Sequence, residues 1–149
     1  MPKKPSLDLL VNVAHDAVDT AAKAVQQAAN ERSAAQEQLD MLHNYRLDYA
    51  QRLLESGQGG LTASNYLNFR RFLNTLDDAI SQQNSIVAHS ESQLAAGRQQ
   101  WQAEKQRLGA FEALQNRQRQ QQALKEARRE QRASDEIAAH LFRRGKGNH

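Results

Sequence analysis

The sequence of 149 residues predicts an all-α fold: a long two-helix antiparallel coiled-coil hairpin with an overhanging C-terminal helix. Three observations predict it. Both prolines, Pro2 and Pro5, stand at the extreme N-terminus, and Ser6 to Ser56 contains neither proline nor glycine. Gly57, Gly59 and Gly60 then crowd one short stretch, "ESGQGGLTASNY". The runs on either side repeat their apolar residues at alternating steps of four and three, the spacing of a coiled-coil seam. With 5% aromatic residues and a mean hydropathy of -0.84, the chain is too polar for a compact core, which leaves disorder or helices with a narrow apolar seam.

The first helix is expected over about residues 6–56. Its seam reads Leu7, Val11, Ala14, Val18, Ala21, Val25, Ala28, Arg32, Ala35, Leu39, Leu42, Arg46, Tyr49, Leu53 and Ser56. Only Arg32, Arg46 and Ser56 depart from apolar character, so the register never slips. Many of these residues are alanines, which let a partner helix approach closely. Fifty helical residues would reach roughly 75 Å, longer than a domain of this size encloses.

The glycine-rich stretch reads as a turn over about residues 57–62, with Gly57 as the left-handed residue closing the first helix. Thr62 is the expected N-cap of the second helix, with Leu61 and Tyr66 as its hydrophobic staple. So short a connection makes the helices antiparallel neighbours. The second helix is expected over about residues 63–142. Its seam runs through Tyr66, Phe69, Leu73, Leu76, Ile80, Gln83, Val87, Ser90, Leu94, Gly97, Trp101, Glu104, Leu108 and Phe111. Folding about Gln58–Gly60 sets Leu7 near Phe111 and Tyr45 near Leu73. Beyond that point the helix has no partner, and residues 112–149 are expected to form an unpaired basic arm carrying 9 basic and 5 acidic side chains. One coiled-coil domain therefore spans residues 1–149.

Catalytic chemistry is not expected. Cysteine is absent, so thiolate zinc sites and disulfides are excluded. The five histidines are scattered. His15 with Asp19, and Glu136 with His140, have a spacing that supplies half a metal site, and read as solvated helix surface. "GQGG" lacks the strand before it and the lysine–serine pair after it that a phosphate-binding loop needs. No enzyme, metal or cofactor is expected. No stretch approaches the ~20 apolar residues of a membrane span, and the N-terminus lacks a signal-peptide core, so a cytoplasmic protein without membrane insertion is expected. The basic residues of the arm alternate with Glu126, Glu130, Asp135 and Glu136, and from Arg117 to Arg132 no aromatic residue is interleaved to stack on a base. Nucleic acid is therefore not an expected partner.

One feature exceeds what a hairpin needs. Near the turn, apolar residues occupy more than the seam: Met41 and Tyr45 beside Leu42 and Tyr49, and Phe72 and Ala79 beside Leu73, Leu76 and Ile80. Gln38, Leu42, Tyr45 and Tyr49 make one stripe at helical spacing, and Phe72, Leu76, Ala79 and Gln83 make another. Such stripes are either a locally thicker core or an exposed surface for a partner.

Four blocks taken in order carry a family resemblance: "AAQEQLDMLHNYRLDYAQRL", "GLTASNYLNFRRFLNTLDDAI", "RQQWQAEKQRLGAFEALQNRQ" and "ARREQRASDE". Together they resemble the FliJ family of the bacterial flagellar type III export apparatus over nearly the whole chain. The resemblance implies a non-enzymatic coiled coil, similar to the central stalk of rotary ATPases, at the cytoplasmic side of the inner membrane. Its implied partners are the flagellar export ATPase, the export gate protein FlhA and, in some members, export chaperones. Gate docking is implied for Gln38, Leu42, Tyr45, Tyr49, Phe72, Leu76 and Ala79. The seam places Leu42, Tyr49 and Leu76 inside, so for these three either the seam register or the docking surface must give way. An ATPase-facing role follows for the arm, with Arg128, Arg129 and Arg132. The alternatives are the stalk of a virulence type III secretion system and a generic coiled-coil adaptor.

Overall fold

The computed structural model describes residues 6–57 and 62–146, and these form two α-helices, α1 (Leu7–Gly57) and α2 (Ala63–Lys146), packed antiparallel as a hairpin. The start of α1 is set by Ser6, whose Oγ accepts the Leu9 N–H at 3.2 Å while its carbonyl takes the Leu10 N–H at 3.1 Å. Asp8 adds negative charge to the first turn, where the helix dipole favours it. Thr62 caps α2 in the same way: its Oγ1 accepts the Asn65 N–H at 3.4 Å and its carbonyl the Tyr66 N–H at 3.1 Å. Residues 58–61 of the turn expected over about 57–62, with Leu61 of the staple, lie outside the described residues. Gly57 is the last residue of α1 and not the closing residue beyond it, and α2 runs to Lys146, past the expected end near 142. Arg143, Arg144 and Lys146 in its last turn suit the negative end of the helix dipole.

Two compact units divide the chain: Ala17–Glu104, and the described parts of Met1–Asp16 with Lys105–His149. In the first, the seam supplies the core among the described residues. Ala21, Ala35 and Leu39 of α1 and Leu76, Ile80, Val87, Ser90 and Leu94 of α2 are buried. The centre of this core is a cluster of Ala35, Leu39, Ile80 and Val87, with Leu42 packed against it. The seam positions of this unit nearer the turn, from Leu42 to Ser56 on α1, are half-buried. Tyr66, expected in the second seam, is instead 44% exposed at the start of α2.

Three polar residues of the seam are answered across it. Arg32 Nη2 meets Glu91 at 3.2 Å, Gln83 Nε2 donates to the Ala35 carbonyl at 3.0 Å, and Arg46 pairs with Asp77. Gly97 lies against Val25. These pairs are symmetric about points from Gly59 to Thr62, so the fold axis lies slightly later than the expected Gln58–Gly60. Long side chains leaning toward their helix N-terminus spread the individual values.

In the second unit, Val11 and Ala14 are buried. Pairing continues past Phe111, because His15 Nε2 meets Glu112 at 3.7 Å and Gln115 bonds the Asp8 carboxylate. The unpaired arm thus begins later than residue 112. From Asn116 to Lys146 every residue except Ala139 is exposed.

Candidate functional site

The two stripes near the turn lie within the unit Ala17–Glu104, and burial sorts their residues. Leu76 is buried, at 8% exposure, and belongs to the core. Leu42 is half-buried against the core cluster, and Ala79 is half-buried on the flank of α2. Gln38 is exposed, as are Tyr45 at 60% and Phe72 at 38%. The conflict between seam and surface is therefore settled for Leu76, where the seam holds and the side chain is not presented to solvent.

Tyr49 joins the two groups. Its ring lies 4.3 Å from that of Phe72, tilted by 36°, and 5.3 Å from that of Phe69, tilted by 56°. Offset, tilted rings at these separations attract through their quadrupoles, beyond the apolar area they cover. Tyr49 is half-buried and Phe69 is half-buried, so Phe72 is the outermost ring of a three-ring stack that starts in the seam. On α1, Met41, Asn44, Tyr45 and Asp48 line a shallow groove. Met41 is itself mostly exposed.

Arg46 and Asp77 directly follow Tyr45 and Leu76 in the sequence and pair across the seam. Nε and Nη2 of the guanidinium donate to Oδ1 and Oδ2 of the carboxylate, the second at 3.4 Å. The bond from Arg46 holds the Asp77 carboxyl below the usual aspartate range, partly opposed by burial, and Asp77 in turn raises Arg46.

Ile86 escaped the sequence reading. It is half-exposed, and Phe72, Ala79 and Ile86 are spaced by seven, so they share one heptad position flanking the seam. That repeat was the available signal. A second exposed apolar series, Leu47 and Leu54 on α1, has the same spacing.

In the terminal unit, Arg128, Arg129 and Arg132 are exposed, as are Ile137, Leu141 and Phe142 beyond them. Lys146 Nζ lies 4.9 Å from the centre of the Phe142 ring. His15 turns to Glu112 across the helices, not to Asp19 along its own. Among the described residues no three His, Asp or Glu side chains gather as a metal site, and no helix is long and apolar enough to cross a membrane.

The family model "Flagellar FliJ protein" matches residues 3–147. Curated relatives with that same description, from Salmonella typhi and Escherichia coli (strain K12), are each 30% identical over 138 residues, covering 93% of this chain and 94% of theirs. Among solved structures, one described as a YscO homolog, CT670, from Chlamydia trachomatis covers all of both chains at 21% identity with a TM-score of 0.49.

Proposed function

Because the chain belongs to the flagellar FliJ family, we propose that it is a non-enzymatic stalk protein of flagellar protein export, linking the export ATPase ring to the export gate FlhA at the cytoplasmic side of the inner membrane. One observation carries the gate-docking half. Tyr45 and Phe72 are large, exposed and aromatic, stand outside the seam, and belong to opposite helices of one compact unit. A two-stranded seam gains little from aromatic residues at such flanks, whereas aromatic anchors commonly dominate interfaces. In this reading Gln38, Tyr45, Phe72 and Ala79 meet the gate, with Leu42 at the edge, Tyr49 behind Phe72, and Leu76 as the floor.

The ATPase-facing half rests on the arm. Its exposed Arg128, Arg129 and Arg132 have no partner across a seam among the described residues, and a slender helix suits a ring pore. Export chaperones complete the set of partners. The match of the flagellar family model along the chain favours this reading over a virulence-type stalk.

The test has two parts. The intact chain is expected to pull down the purified cytoplasmic domain of the gate and to stimulate the hexameric export ATPase. A chain cut after Asn116 is expected to retain gate binding and lose stimulation, since it keeps every bond and ion pair described between the helices, out to Gln115 with Asp8. Equal stimulation by the cut chain would remove the arm from the ATPase contact.

A further inference from the structure

We propose that the Arg46–Asp77 pair is a positioning device. It fixes the register that brings the α1 stripe and the α2 stripe onto one face, and so sets the affinity of that face for the gate without touching it. The proposal rests on the docking reading above and deepens it.

The first observation is where Arg46 stands. It occupies a seam position, where the heptad repeat of α1 supplies apolar residues except at Arg32, Arg46 and Ser56. A guanidinium on so long a stem does not fit between two close helices, and its side chain, 40% exposed, emerges on the flank to meet Asp77. Such exposed pairs contribute little to stability. Polar residues in a seam are better attested as markers of register.

The second observation is the form of the bond. Two N–H groups of one planar fork meet two oxygens of one carboxylate. A fork constrains rotation about the helix axis as well as sliding along it, which a single point contact does not. Arg32–Glu91 has one bond only, and its Glu91 lies about five helical turns along α2 from Phe72, outside both stripes.

The third observation is that the seam near the turn is thin. The buried cluster consists of Ala35, Leu39, Ile80 and Val87, while Leu42, Tyr49 and Leu53 are only half-buried. Apolar packing alone specifies register weakly there. A slip of one residue turns a helix by ~100° and shifts it by ~1.5 Å, enough to part Phe72 from Tyr49. Arg46 directly follows Tyr45, and Asp77 directly follows Leu76, so the fork acts where the two stripes must be aligned.

The chain has no cysteine, so spin labels at Gln51→Cys and Asn74→Cys, both exposed and on opposite helices, report the register directly. Distance distributions and calorimetric affinity for the gate's cytoplasmic domain are measured for the labelled parent, Arg46→Ala, Arg46→Lys, the swap Arg46→Asp with Asp77→Arg, and Arg32→Ala. Arg46→Ala and Arg46→Lys are expected to broaden the distribution and weaken gate binding by about fivefold or more. The melting temperature should move by no more than about 2 °C, as for an exposed pair. The swap is expected to restore both readouts, and Arg32→Ala to change neither. A distribution that stays narrow in Arg46→Ala overturns the proposal whether or not the gate binds. So does a broadened distribution with unchanged affinity, or a swap that restores nothing. Failure of the parent itself to bind the gate refutes the docking reading, a result distinct from all of these.

Discussion

Exposure along the two stripes gives an ordering that binding and stability must follow in opposite directions. Tyr45 is 60% exposed, Phe72 38% and Leu76 8%. Replacing each by alanine removes a side chain that the fold uses to a different degree. Tyr45→Ala takes away mainly solvated surface, and its cost to stability is expected within about 0.5 kcal/mol. Phe72→Ala loses the ring contact with Tyr49 at 4.3 Å, a pair worth ~0.5–1.5 kcal/mol beyond area, together with a part of the burial of a full phenylalanine. Its cost is expected at about 1–2 kcal/mol. Leu76→Ala empties a core position, for which buried leucines lose ~2–5 kcal/mol, and a two-helix seam that can close on the space puts it near the lower end.

Gate affinity is expected to run the other way. Loss of an aromatic anchor commonly costs more than ~2 kcal/mol, roughly thirtyfold in Kd. Tyr45→Ala and Phe72→Ala should reach that scale, whereas Leu76→Ala should weaken binding only as far as it disturbs the face above it. Thermal melts and calorimetric titrations on the same purified variants read both quantities. A Tyr45→Ala variant that binds the gate like the parent, or one that melts as early as Leu76→Ala, would refute the reasoning, since either result means the exposed aromatic is not an anchor.

Three further outcomes follow from the seam and its ends. Gly97→Ala is expected to stabilise the chain by ~0.5–1 kcal/mol, because an added Cβ meets Val25 at an ordinary 3.6 Å and alanine is the better helix former; a lower melting temperature would contradict it. Thr62→Ala removes the side-chain acceptor for the Asn65 N–H and is expected to cost ~1 kcal/mol, seen first as faster amide exchange at Asn65. The Asp77 carboxyl is held low chiefly by its bond from Arg46, so its stabilising effect is present at neutral pH and is lost as pH falls through its depressed folded-state value. The stability difference between the parent and Asp77→Asn should therefore be flat from neutral pH down to about 5 and close only below the ordinary aspartate range near ~4.

The seam was legible because it is a one-dimensional pattern. Every α1 position selected by steps of four and three is at least half-buried, from Leu7 to Ser56. A heptad repeat states which face is inside without reference to the rest of the fold. Thr62 was legible for the same local reason, since a cap needs only its own side chain and the next turn. The axis of the hairpin was less so. Counting outward from the glycines fixes the pairing only to within a residue or two, and the pairs Arg32–Glu91 and Arg46–Asp77 show the shift. The arm's start was misplaced for a related reason: Glu112 and Gln115 pair through polar side chains, which an apolar repeat does not register.

The docking stripes were only half legible, and the missing half is a matter of depth. On a helix, Leu76 and Phe72 are neighbours one turn apart, and periodicity alone assigns both to one stripe. Whether such a stripe is wall or floor depends on how far each position turns from the facing helix, which is set by register. Leu76 points into the seam and is floor. Phe72 stands a little to the side, where Tyr49 reaches it from α1, and is wall. The same small rotation explains why a stripe implied for docking can contain both kinds of residue. Tyr45 and Phe72 would make the contact, while Tyr49 and Leu76 hold Phe72 and its helix at the angle that the contact needs. A substitution at either kind of residue would then weaken docking to its own degree, and the melting temperature read beside the affinity tells the two apart.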